Sequence, residues 1–115
     1  MNLTVTIEKL TKKYGTCNPF LICQRIGIIV VFHPLGDETR GLIKKYKRSH
    51  IICINSDLDE LEQLKTCAHE LGHYVLHKNI NTLFMSNHTY FKTDVYEFEA
   101  DNFADILLTS LFESP

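Results

Sequence analysis

Between Leu3 and Tyr14, the apolar residues Leu3, Ile7, Leu10 and Tyr14 are spaced four, three and four. That spacing writes one stripe along an amphipathic helix, and Gly15 ends it. Asn18-Pro19 predicts a second helix start, a side-chain acceptor followed by a proline whose missing N–H is no loss in the first turn. This helix is expected to run to about Arg25 and stop at Gly27. From Ile28 to Phe32 the chain is apolar and largely β-branched, closed by His33-Pro34, and reads as a buried strand. A second strand is expected from about Arg40 to Tyr46 and a third at Ile51-Ile52-Cys53-Ile54. The short links between them predict a small antiparallel or mixed sheet.

The pattern then turns helical again. Ser56 or Asp57 is expected to cap a helix with Asp59 and Glu60 in its first turn, where the helix dipole favours negative charge. Leu58, Leu61, Leu64, Cys67, Ala68, Leu71, Tyr74 and Val75 recur at helical spacing as far as about His77. Asn79 to Thr93 is polar with scattered aromatics and predicts a long loop, followed by a last helix from Asp94 to about Glu113. No linker or repeat divides the chain, so a single domain over 1–115 is expected. Its class is α+β, a three-stranded sheet packed with about four helices.

Composition narrows the function. An apolar fraction of 44% and a charged fraction of 23% are those of a folded globular protein rather than a disordered one. A net charge of −2 offers no footprint for nucleic acid or anionic lipid. The local run Lys44-Lys45-Tyr46-Lys47-Arg48 reads as a solvated turn between two strands. The longest apolar run falls far short of the roughly 20 residues that span a bilayer. The N-terminus lacks the basic start and apolar stretch of a signal peptide, so a cytoplasmic protein with no membrane partner is expected. Cys17, Cys23, Cys53 and Cys67 form no CxxC pair and read as small apolar fillers in a reducing compartment.

Candidate chemistry lies in His69-Glu70-Leu71-Gly72-His73. Two histidines four apart inside a helix project from one face, roughly 6 Å from each other, close enough to share one ion. Glu70 is rotated by about 100° from His69. It can flank the open coordination position and act as general base, which is the HExxH arrangement of zinc peptidases. Gly72 sits where helix propensity disfavours glycine by about 1 kcal/mol against alanine, as expected if a backbone or a substrate must approach closely. A catalytic zinc takes three protein ligands and keeps one position open. His77 lies too far along the helix to be the third, roughly 12 Å beyond His69, and reads as a surface or helix-end histidine. Asn79 stands where a metzincin would carry its third histidine, which excludes that subclass.

The last helix supplies a better donor. Glu97, Ala100, Asp101, Ala104 and Leu108 share one face, and the two alanines permit close packing on the motif helix. Glu97 is the preferred third ligand, with Glu99, on a different face, as second choice. Asp101 is placed to orient a ligating histidine through its other ring nitrogen. His88, Tyr90 and Tyr96 are candidates for stabilising an oxyanion, with none singled out.

These residues resemble the ImmA/IrrE metallopeptidases. The resemblance rests on Thr66-Cys67-Ala68-His69-Glu70-Leu71-Gly72-His73 with His77 close behind, and on the stretch Glu97-Phe98-Glu99-Ala100-Asp101-Asn102-Phe103-Ala104-Asp105-Ile106-Leu107-Leu108. Asn18-Pro19-Phe20, Gly27-Ile28 and Ile54-Asn55 further resemble the ImmA branch. The resemblance implies an α+β metallopeptidase fold, zinc, and an anti-repressor that cuts a helix-turn-helix transcriptional repressor encoded beside it on a phage or integrative element. It also implies ligand roles for His69 and His73, the base role for Glu70, and a third ligand within the Glu97/Glu99 pair. Where many relatives read Leu-Leu-Met-Pro, this chain has Leu107-Leu108-Thr109-Ser110. Its end at Pro115 implies a minimal peptidase without the C-terminal domain of longer relatives. The rival reading is a zinc-stabilised binding module that sequesters a transcription factor without cutting it.

Overall fold

The computed structural model describes residues 2–77 and 90–113. Helix α1 spans Leu3–Tyr14 and α2 spans Pro19–Ile26. Their boundaries are set by local chemistry. The Asn2 side chain accepts from the Val5 N–H, and the Asn18 side chain accepts from the Phe20 and Leu21 N–H groups. Gly15 and Gly27 close the two helices in the left-handed region, at φ 71° and 100°.

Strands β1 (Ile29–His33), β2 (Gly41–Tyr46) and β3 (Ser49–Asn55) form one mixed sheet in the order β1-β3-β2. β1 runs parallel to β3 and β2 antiparallel to it, with Ile52 paired to Val30 on one side and Ile43 on the other. Being central, β3 carries the deepest strand residues, Ile52 and Ile54. The expectation of a buried first strand is corrected here: Ile29, Val31 and Phe32 are 48%, 41% and 50% exposed. β1 is an edge strand, and the buried residue of that run is Ile28, just before it. The basic run is exposed as expected, but Lys44, Lys45 and Tyr46 end strand β2 and only Lys47 and Arg48 make the hairpin turn, with Lys47 in the left-handed region at φ 57°.

Helix α3 spans Glu60–Leu76 and α4 spans Tyr90–Glu113. The cap of α3 is Asp59, whose carboxylate accepts from the Glu62 N–H at 2.8 Å, not Ser56 or Asp57. Those two residues belong to a turn organised by Asn55, whose amide oxygen accepts from the Asp57 N–H at 3.0 Å. Asn55 is itself buried at the end of β3. It donates to the carbonyls of Gly36 and Thr39 at 2.8 and 2.9 Å and accepts from the Leu35 N–H at 3.3 Å. α4 begins four residues before the expected Asp94, and residues 78–89, most of the expected loop, lie outside the described residues.

α3 is the centre of the molecule, packed against β2 and β3 on one side, α4 on another and α2 on a third. This explains why polar Thr66, Glu70 and His73 are buried on it together with Cys67, Ala68 and Leu71. Ala100 and Ala104 of α4 face it, as their size requires. A Cβ on Gly72 would lie 3.0–3.2 Å from side-chain carbons of Phe103. The glycine therefore makes room for a buried side chain of α4 rather than for backbone or substrate. Cys23 and Cys67 meet in the core with sulfurs 4.0 Å apart, whereas Cys17 and Cys53 are half-buried, and all four are free thiols. The hydrogen bond with Cys23, followed by burial, pushes the Cys67 thiol well above its ordinary range, so it stays protonated and unreactive. No helix among the described residues is long and apolar enough to cross a membrane.

Candidate metal centre

The His69 and His73 rings lie one turn apart on α3, 4.8 Å between centroids and nearly perpendicular. Both direct Nε2 at one carboxylate of α4. Glu97 Oε2 is 3.0 Å from His69 Nε2, and Glu97 Oε1 is 2.7 Å from His73 Nε2. One ligand atom from each of the three residues lies within 4.8 Å of the others, so the group could hold a metal ion. Two imidazole nitrogens and a carboxylate are the donor set of an open zinc site. Hydrogen bonds from His69 and His73 hold the Glu97 carboxyl far below the usual carboxylate range. Burial alone would lower the pKa of His69. The Glu97 hydrogen bond and the charges of Glu70, Glu97 and Asp101 outweigh it and raise the value to about 9.

Glu70 is buried between these groups, 5% exposed, and its Oε1 has no hydrogen-bond partner among the described residues. Burial, with a smaller push from Glu97, raises its pKa to about 7 against the opposing pull of His69 and His73. A buried carboxyl oxygen without a donor is costly to maintain. Glu70 lines the same cleft as His69 and interacts electrostatically with both histidines that could hold a cation, which fits a group that works on something bound beside them.

Each histidine is held at its second nitrogen as well. Asp101 Oδ1 lies 2.8 Å from His69 Nδ1. His73 Nδ1 lies 3.1 Å from His77 Nδ1, and His77 Nε2 lies 3.1 Å from Glu99 Oε1. Glu99 is thus drawn to His77 and away from the three-residue cluster. His77 stands at the end of α3, but it is 7% exposed, not a surface residue. Tyr96 packs its ring 4.3 Å from the His77 ring and is absent from the cleft wall described next. His88 and the side chain of Tyr90 lie outside the described residues.

The cluster opens into a cleft of about 880 Å³. Glu38 to Gly41 form one wall, Lys65 and Thr66 line it from α3, and α4 lines the other side through Asp105 and Leu108 as far as Phe112. Arg40 is tied to Glu62 of α3 at 2.6 Å, and the Arg40 carbonyl accepts from the Asn55 N–H at 2.8 Å. Sequence reading missed the Asn55 anchor and the His77–Glu99 link. The signal for the first was a polar residue ending an apolar strand. The signal for the second was a histidine one turn beyond the motif.

Comparison with known proteins places this geometry in context. The family model of the IrrE N-terminal-like domain, a peptidase family, matches residues 23–111. The chain is 42% identical over 106 residues to immunity region protein 2 of Bacillus phage phi105, covering 92% of this chain and 67% of that protein. It is 35% identical over 104 residues to Metallopeptidase ImmA of Bacillus subtilis (strain 168), covering 89% of this chain and 60% of that protein.

Proposed function

The chain belongs to the IrrE N-terminal-like peptidase family, and on that premise we propose that it is a zinc-dependent endopeptidase. Its substrate in this reading is one specific protein, a helix-turn-helix transcriptional repressor, and its role is that of an anti-repressor. The observation that carries the proposal is the convergence of His69 Nε2, His73 Nε2 and the Glu97 carboxylate beside the unpartnered Oε1 of Glu70. A structural zinc site would have four closed ligands and no use for a buried base. The repressor as target is supported by likeness to a phage immunity-region protein and to ImmA.

In this reading His69, His73 and Glu97 hold the ion. When bound, zinc supplies Lewis acidity that polarises a carbonyl and acidifies water. Glu70, buried beside the histidines, takes a proton from the attacking water as the water oxygen bonds to the peptide carbon. Glu70 then delivers that proton to the amide nitrogen as the C–N bond breaks. Asp101 keeps His69 oriented through Nδ1. The cleft between residues 38–41 and α4 receives the peptide on either side of the scissile bond.

The test is mass spectrometry of the candidate repressor after incubation with zinc-loaded protein, beside a Glu70→Ala control. One new cut made only by the Glu70 form is the expected result. A repressor bound equally by both forms and cut by neither would replace the peptidase with the sequestering module.

A further inference from the structure

We infer that His77 and Glu99 are positioning residues that together fix the ring and the tautomer of His73. The inference rests on the metal-site reading above. His73 can offer an Nε2 lone pair to a metal ion only if its proton sits on Nδ1. The group facing that nitrogen is His77 Nδ1, at 3.1 Å, which must then accept. Acceptance there puts the His77 proton on Nε2, which points at Glu99 Oε1, also at 3.1 Å. With an ion held at His73 Nε2, each link takes one direction: Glu99 accepts from His77, His77 accepts from His73, and the Nε2 lone pair of His73 is kept for the ion.

Burial gives the chain its force. His73 and His77 are 2% and 7% exposed, so bulk water is poorly placed to substitute for a lost partner. Tyr96 packs against the His77 ring and restrains its rotation. His77 is not a ligand itself, because both its nitrogens are committed elsewhere. The two ligating histidines are therefore braced differently. His69 reaches a carboxylate directly, through Asp101, and His73 reaches one through an intervening imidazole.

The experiment measures zinc affinity of the full chain by competition with a chromogenic chelator, and the visible spectrum of the cobalt-loaded protein. His77→Phe keeps the ring volume and removes the acceptor, and is expected to weaken zinc binding by about 10- to 100-fold. It should also shift the cobalt absorption bands. His77→Asn places a carbonyl oxygen where Nδ1 stood and should recover most of the affinity and the wild-type spectrum. Glu99→Gln, at a half-exposed position that tolerates change, should weaken binding by less than His77→Phe and guards against misfolding of the His77 forms. Equal losses in the Phe and Asn forms would overturn the inference. So would affinities within twofold of wild type and an unchanged cobalt spectrum in His77→Phe and Glu99→Gln. A wild-type chain that binds neither zinc nor cobalt would instead sink the metal-site reading and this inference with it.

Discussion

Replacing Glu70 by glutamine should make the metal-free protein more stable at pH 8 while abolishing cleavage. The folded-state pKa of Glu70 is raised from 4.5 to about 7, with burial as the main cause. Between those values the unfolded chain ionises this carboxyl and the folded chain keeps it protonated. The folded state therefore binds more protons, and stability falls as pH rises through the window. A gap of about 2.5 units, at 1.36 kcal/mol per unit, amounts to about 3 kcal/mol above pH 7 and less than about 1 kcal/mol at pH 5. Glutamine carries no charge at either pH and escapes the penalty. For a chain of this size the difference corresponds to about 10 °C in Tm. Urea denaturation in excess chelator, run from pH 5 to pH 8 on both proteins, reads it directly. The curves should nearly coincide at the acid end and separate with rising pH, with the wild type below. Zinc should narrow the gap, because a nearby cation favours the ionised carboxylate. Parallel curves across the pH range would refute the reasoning, since Glu70 would then titrate alike in both states.

Three other outcomes are expected. Zinc binding at pH 8 should release about one proton, because His69 is protonated below its pKa of about 9 and must give up that proton to ligate; calorimetry in two buffers of different ionisation enthalpy measures it, and release should fade above pH 9. Gly41→Ala should destabilise the protein by about 2 kcal/mol, because its Cβ would sit 2.5 Å from Thr66 Cγ2 and 2.9 Å from the Cys53 carbonyl oxygen; a neutral urea midpoint would count against it. Asn55→Ala removes the bonds to Leu35, Gly36, Thr39 and Asp57, and should lower stability by about 3 kcal/mol; hydrogen exchange should quicken first in residues 35–40.

What was legible in the sequence was what local chemistry decides. The Asn18-Pro19 start and the Gly15 and Gly27 stops operate within one helical turn, and each lies where expected. The shared face of Glu97, Ala100, Asp101 and Ala104 follows from helical geometry alone, and it does meet α3. Non-local order was not legible. An apolar β-branched run looks the same whether its strand becomes the centre or the edge of a sheet. The order β1-β3-β2, which exposes Val31 and Phe32, is settled by β3 pairing on both sides. Gly72 advertised a close approach without naming the visitor, because Phe103 arrives from 31 positions further along the chain. His77 could be rejected as a ligand from helix rise. Its partner Glu99 depends on how α4 is rotated against α3, which spacing within one helix does not encode.

The Asn55 anchor has a consequence for how this scaffold can change. Its amide engages Leu35, Gly36, Thr39 and Asp57 through their main-chain groups alone. The clamp therefore recognises the path of the chain and is indifferent to which side chains decorate it. Asp37 and Glu38 can be exchanged for other residues without loosening the loop that carries them. One wall of the cleft is in effect an interchangeable tip on a fixed holder, and new target preferences could arise there by substitution while the helices carrying the histidines stay untouched.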